Sequence, residues 1–225
     1  MRDEMSARGK GVKDPLALAG ARDAIITVGE GRGFLVENPP WSHRVITAAH
    51  CLPHLPPPHA ASYTEERTYQ NLLGPLGAAP TVGAECIFVD PIADLAVLEQ
   101  PDDQALYDEA EAYERFMDGR PTVRIGRVRK PRSAWLLTPD GQWERCTVQA
   151  QGGRYLVLGN PKEGNAPGTS GSPILTADAR AVGVVSIRTK DVGKEAVLQW
   201  GQPELVSCLP ARLLTELLNA NGRRI

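Results

Sequence analysis

The sequence predicts an all-β protein, a barrel or sandwich, with a C-terminal α-helix. Three observations predict it. The apolar runs are short and follow one another closely, with glycine, asparagine and proline between them. Proline clusters and turn dipeptides interrupt any longer helical pattern. Only two stretches depart from this, an acidic segment in the middle and a leucine stripe at the end.

The elements follow in order. Residues 1–20 are mixed and polar and are expected to form a loose arm. Strand-like runs begin at Ala24-Ile25-Ile26-Thr27-Val28, Gly33-Phe34-Leu35-Val36 and Val45-Ile46-Thr47-Ala48-Ala49. The segment HLPPPHAAS at 54–62 is a surface loop, because consecutive prolines fix φ and remove donors. Further strands are expected at 82–89 and 95–98. Residues 102–118, DDQALYDEAEAYERFMD, favour a helix, with Gly119 and Pro121 as stop signals. This segment reads as a solvated connector between two β-rich halves, or else as a docking surface for a partner. Strands resume at 122–128, 134–138, 143–149, 154–158, 173–176, 181–187 and 195–200, with Pro139-Asp140-Gly141 as a hairpin signal. In LPARLLTELLNANG, Leu209, Leu213, Leu214, Leu217 and Leu218 line one helical face. The expected units are therefore an arm (1–20), a first β-rich half (21–101), a helical linker (102–120) and a second half with the terminal helix (121–225).

Bulk properties narrow the function. With 225 residues the chain can bury a sizeable core. Hydrophobic residues make up 42% and charged residues 23%, with a formal net charge of −2. That balance excludes a nucleic-acid footprint, which needs a basic excess or stripe. The cluster Arg124, Arg127, Arg129, Lys130 and Arg132 reads as a solvated strand or loop face, or else as a partner site. No stretch approaches the roughly 20 apolar residues of a membrane span. The polar start MRDEMSARGKGVKD lacks the apolar core of a secretory signal, so a cytoplasmic location is expected. Cys51, Cys86, Cys146 and Cys208 are widely spaced, which argues against zinc and, in a reducing compartment, for free thiols, with disulfides as the alternative that an even count leaves open.

Three motifs carry chemistry. In Val45-Ile46-Thr47-Ala48-Ala49-His50-Cys51 an apolar strand ends in small residues and a histidine, placing an imidazole on a rigid element where it can act as a base. In Asp90-Pro91-Ile92-Ala93-Asp94-Leu95-Ala96-Val97-Leu98 a carboxylate precedes a buried-strand pattern. There it needs a hydrogen-bonding partner such as an imidazole N–H. Asp90, before proline, fits a turn-capping role better than Asp94 does. In Ala166-Pro167-Gly168-Thr169-Ser170-Gly171-Ser172-Pro173, flanking glycines permit a tight turn that exposes a serine. A serine hydroxyl becomes a useful nucleophile only beside a base. His43, His54 and His59 lack the strand-end setting, and Ser172, followed by proline, reads as a structural turn residue.

The order histidine, aspartate, serine, with histidine after Thr-Ala-Ala and serine within Gly-x-Ser-Gly-x-Pro, resembles the trypsin/chymotrypsin family of serine proteases. The resemblance spans roughly residues 24–220 and is nearer the bacterial and intracellular branches, which include the glutamyl endopeptidases. It implies two antiparallel six-stranded β-barrels with the active site between them, and a C-terminal helix. It implies Ser170 as nucleophile, His50 as general base and Asp94 as its orienting carboxylate. The N–H groups of Gly168 and Ser170 would form the oxyanion hole. No metal or organic cofactor is implied, and the partner is a protein or peptide substrate.

The chain also departs from the pattern. The aspartate that precedes the nucleophile in secreted members, and receives their processed N-terminal amine, is Thr169 here. The oxyanion loop is then either preformed or ordered by substrate or a partner protein. The stretch GRGFLV has no cysteine, so Cys51 lacks the family's usual bridge. The position that selects Lys or Arg in trypsin-like members is Gly164, with Glu163 beside it as a substitute. Val185-Ser186-Ile187-Arg188 corresponds to the strand that pairs with substrate. Ser186 thus counts as substrate-binding, and Arg188 narrows the pocket, attracts an acidic side chain or points to solvent. The expectation is an intracellular endopeptidase with a regulatory or defence role, controlled by an activating or inhibiting protein partner. The alternative is a catalytically silent homologue that serves as a protein-binding module. A Ser–acid–His esterase is disfavoured by the chain order.

Overall fold

Strands β1 (Ile25–Val28), β2 (Gly31–Asn38), β3 (Ser42–Thr47), β4 (Thr68–Pro75), β5 (Val82–Asp90) and β6 (Leu95–Glu99) close into an antiparallel barrel in the order β1-β2-β3-β6-β5-β4. The computed structural model describes residues 16–38, 42–57, 63–151, 155–159, 167–188 and 206–210. Strands β2, β3 and β6 are apolar in sequence because both of their faces are covered. Phe34, Leu35, Val45, Ile46, Leu95 and Leu98 are all fully buried. Each such side chain contributes about 1.5–3 kcal/mol of hydrophobic stabilisation.

The second half holds β7 (Arg124–Ile125), β8 (Arg132–Leu137), β9 (Trp143–Gln151), β10 (Tyr155–Gly159), β11 (Pro173–Leu175), β12 (Arg180–Arg188) and β13 (Val206–Pro210). They form one sheet in the order β11-β8-β9-β10-β13-β12-β7. β11 also pairs with β12, so six antiparallel strands complete a circuit, and β7 is added parallel to β12. The β8–β9 hairpin closes with Leu137 opposite Trp143, around the Pro139-Asp140-Gly141 turn. Alternation along β8 splits its side chains between two cores. Ala134 and Leu136 join the sheet's own cluster with Val148, Leu158 and Val182. Trp135 and Leu137 join the larger cluster that fills the first barrel. This shared packing fixes the two halves against each other.

Helices are few: α1 (Leu16–Ala21), α2 (Thr64–Arg67) and α3 (Tyr107–Met117). Asp102 starts the approach to α3, its carboxylate accepting from the N–H groups of Gln104 and Ala105. The helix is more than a solvated connector. Ala110, Tyr113 and Met117 are buried at helical spacing, α3 packs against β5, and the Tyr113 hydroxyl donates to the His43 carbonyl at 2.8 Å. Its opposite face carries exposed acidic residues. Among the described residues no helix is long and apolar enough to cross a membrane.

Several expected elements shift. β4 has no strand signal in TYQNLLGP because the register breaks between Tyr69 and Leu73, with Asn71 at φ +52°. A bulge of that kind hides the period-two alternation. The run expected at 122–128 shortens to Arg124–Ile125. Leu209, expected on the terminal helix, lies in strand β13. The arm up to residue 15, the strand at 195–200 and the rest of the expected helix lie outside the described residues. Arg124, Arg127, Arg129, Lys130 and Arg132 are exposed.

Candidate active site

β3 delivers the histidine. After Thr47 the chain makes a single 3₁₀ turn, Ala49–Cys51, that buries Ala49 and Cys51 and leaves the His50 side chain about half exposed. Asp94 comes from the β5–β6 connection. Asp90 caps that turn, its Oδ1 accepting from the Ile92 and Ala93 N–H groups at 2.9 Å. The chain then enters Asp94 in the left-handed region, φ +52°. Few non-glycine residues adopt that region, and aspartate is among the more tolerant.

Both Asp94 oxygens are used. Oδ1 accepts from the His50 main-chain N–H at 3.0 Å, and Oδ2 meets His50 Nδ1 at 2.7 Å. Oδ2 also accepts from the Ser186 hydroxyl at 2.6 Å. Ser186 lies on β12, so this contact crosses from the second half to the first. It places Ser186 behind the carboxylate, where the sequence reading had placed it only on the substrate strand. Asp94 is 7% exposed. Burial pushes its carboxyl up, but hydrogen bonds from the His50 ring, Ser186 and the His50 amide, with the His50 charge, hold it below its ordinary value. The Asp94 hydrogen bond raises His50, opposed by burial and reinforced by the Asp94 charge. An ionised carboxylate only accepts, so Nδ1 carries the proton and Nε2 is left as the basic nitrogen.

Ser170 sits in a turn between two strands. Its carbonyl accepts from the Arg32 N–H on β2 at 2.7 Å and lies 3.7 Å from the Cys51 thiol. On the other flank, Gly171 N–H donates to the Val185 carbonyl on β12, and Val185 N–H donates to Ser172. Two glycines make this approach possible. Gly171 has φ +82°, and a Cβ on it would overlap the Arg32 carbonyl oxygen. A Cβ on Gly31 would lie 2.5 Å from Cys51 Sγ and 2.7 Å from the Ser170 carbonyl oxygen. The turn therefore brings Ser170 beside the His50–Cys51 segment, although its hydroxyl makes no hydrogen bond to His50 among the described residues. Gly168, at φ +83°, is exposed, and no described residue engages its N–H or that of Ser170.

Other candidates fall elsewhere. Ser172 is fully buried, so its hydroxyl cannot meet a substrate. Thr169 is buried and its carbonyl accepts from Ser172 N–H. Glu163 and Gly164 lie outside the described residues, and Arg188 ends β12 opposite Val206. Cys51, Cys86 and Cys146 are free and buried, and burial pushes the Cys51 thiol up to about 11. Among the described residues no three histidine, cysteine or acidic side chains group as a metal site.

Sequence reasoning missed Arg32. It is 7% exposed, and its guanidinium donates to the carbonyls of Leu137 (2.6 Å) and Thr138 (3.1 Å). Burial, with the neighbouring Arg22 charge, lowers its pKa. The available signal was an arginine set between glycines at the head of an apolar strand. An open concavity of about 960 Å³ adjoins Gly168 on the β2 side, with Arg22, Arg32, Glu30 and Asp140 in its walls, and none of His50, Asp94 and Ser170 lines it.

No protein-family model matches the chain, and no curated protein resembles it in sequence. Solved structures do resemble it. A serine endoprotease from Yersinia pestis superposes with a TM-score of 0.56 at 15% identity, over 95% of this chain and 69% of that one. The inactive form of a serine-to-alanine variant of Rv3671c from M. tuberculosis H37Rv superposes with a TM-score of 0.53 at 16% identity, over 93% of this chain and 91% of that one. At such identity the likeness is one of fold alone.

Proposed function

We propose that this chain is a serine endopeptidase that forms an acyl-enzyme on Ser170. The observation that carries the reading is the double engagement of His50 by Asp94, ring and main chain together. It fixes one tautomer and one ring orientation, which is what a general base requires. In the reaction, Ser170 Oγ attacks the scissile carbonyl carbon while His50 Nε2 takes its proton. The oxyanion forms within reach of the Gly168 and Ser170 N–H groups, donors each worth about 3–4 kcal/mol in studied enzymes. His50 then protonates the leaving amine as the C–N bond breaks. Water, activated by the same imidazole, hydrolyses the ester and restores Ser170.

In this reading the six-strand circuit of the second half is a second barrel and the cleft lies between the halves. The three free thiols support a reducing compartment. Selectivity is assigned to the Glu163–Gly164 segment and Arg188, and control to a protein partner.

One observation favours a second reading, a catalytically silent homologue that binds proteins: the missing hydrogen bond between Ser170 and His50. Such bonds are often long before substrate arrives. Labelling with a fluorophosphonate, together with peptide hydrolysis, decides between the two. Both are expected in the parent and absent in Ser170→Ala. Cleavage at the parent rate by Ser170→Ala, or a parent that never labels, overturns the protease reading.

A further inference from the structure

Arg32 meets the nucleophile turn through its main chain and the β8–β9 hairpin through its side chain. Its N–H donates to the Ser170 carbonyl, and its own carbonyl accepts from Thr47 Oγ1 at 2.7 Å while Gly171 packs against it. Nη1 and Nη2 reach Leu137 and Thr138, where the β8–β9 hairpin begins. That hairpin start is itself fixed, since Thr138 N–H donates to Gln142 and Gly141 N–H donates back to Thr138. One residue of the first barrel therefore ties a hairpin of the second half to the peptide that follows the candidate nucleophile. Two carbonyls hold a buried cation here. A methionine of similar length would fill the space but leave both carbonyls without these donors.

We propose that Arg32 is a positioning residue whose guanidinium, by clamping β2 to the β8–β9 hairpin, holds the Ser170 turn in its reactive position. The inference rests on the reading of Ser170 as nucleophile and deepens it. The turn is set from within the fold, by a side chain that is always charged. Thr169 stands where relatives of the resembled family carry an acid that receives a processed amine, and the Arg32 clamp does the ordering without one. Release of the guanidinium lets β2 and the turn shift together. A displacement of about 1 Å at a reacting group costs on the order of 100-fold in rate.

The test measures kcat, KM and the fluorophosphonate labelling rate in wild type, Arg32→Ala, Arg32→Lys and Arg32→Met, with thermal unfolding as a control. Arg32→Ala is expected to lose about 10- to 100-fold in kcat and in labelling rate, with little change in KM. Arg32→Lys, able to serve one carbonyl, should fall between it and wild type. Millimolar guanidinium, far below denaturing levels, should restore part of the rate in Arg32→Ala. It should do nothing for Arg32→Met, whose side chain occupies the space. A folded Arg32→Ala with wild-type kcat and labelling overturns the inference. So does a loss that neither lysine nor guanidinium repairs, since that marks general destabilisation. Should Arg32→Ala fail to fold, Arg32→Lys decides: a lower kcat at constant KM supports the clamp, and an unchanged kcat overturns it. A wild type that never labels overturns the protease reading itself, an outcome distinct from equal labelling of wild type and variants.

Discussion

Ser186 donates its hydroxyl proton to Asp94 Oδ2 across 2.6 Å, from a strand of the second half to a turn of the first barrel. The bond anchors the carboxylate that orients His50, and it is one of the bonds that hold Asp94 ionised. Ser186→Ala should leave the fold intact and weaken that anchor. A hydrogen bond to a charged group contributes about 1.5–3 kcal/mol, so a loss of about 10- to 100-fold in kcat/KM is expected. Steady-state kinetics on a peptide substrate check it, and an unchanged kcat/KM would show that Asp94 is held without Ser186.

Asp94→Asn keeps the shape and removes the charge. An amide can present its N–H₂ to His50 Nδ1, which then accepts, and the proton moves to Nε2. The basic nitrogen is lost from the side turned away from Asp94. In the resembled family this change costs about 10⁴ in kcat, and a comparable loss is expected here. Loss of only a few-fold would mean that His50 does not depend on Asp94 for its tautomer.

The His50 shift sets a pH dependence. The Asp94 hydrogen bond raises the imidazole above its ordinary value of about 6.5. If His50 is the general base as proposed, its ring must be neutral, so kcat/KM should rise with pH through an apparent pKa above that value. In Asp94→Asn the rise should move to lower pH. Stability carries the opposite sign for His50. A raised pKa stabilises the fold at low pH, and that contribution fades as pH rises through the folded-state value. Asp94, held low, adds stability that is lost as pH falls through its own folded-state value. A pH–rate profile, paired with denaturation midpoints across the same range, checks both directions.

Gly171 and Gly77 form a matched pair for testing the contact between the two halves. Both have positive φ, +82° and +80°. A Cβ at Gly77 meets nothing within 4 Å, whereas one at Gly171 runs into the Arg32 carbonyl and Thr47 Oγ1. Gly77→Ala should cost about 1 kcal/mol, the backbone penalty alone. Gly171→Ala adds overpacking and should cost about 2–4 kcal/mol in total. Urea unfolding of the two variants gives the comparison, and equal losses would mean that the turn can move away from β2.

Much of the chain could be read locally. Strands β1, β2, β3, β5, β6, β8 and β9 announced themselves through apolar runs and turn residues, since short-range alternation and φ preferences need no distant partner. Asp90 was legible as a turn cap for the same reason, its contacts being two and three residues away. β4 was not, because its bulge breaks the alternation, and β13 was lost beneath the leucine stripe that follows it. The acidic face of α3 hid a buried one: Tyr113 reads as an ordinary helix residue until β5 and the His43 carbonyl are placed beside it.

The sequence by itself determined the candidate residue types, their order along the chain and the β-rich class, because motifs and periodicity are properties of neighbouring residues. Tertiary structure alone decided how those residues are held. Ser186 reaches Asp94 across a separation of 92 residues, and Arg32 reaches Leu137 across 105. The left-handed Asp94 and the glycine-only contact at Gly171 belong to the same level. A buried carboxylate or guanidinium must find partners wherever the fold supplies them. Those partners come into range only when the two halves pack together, so no local pattern could have named them.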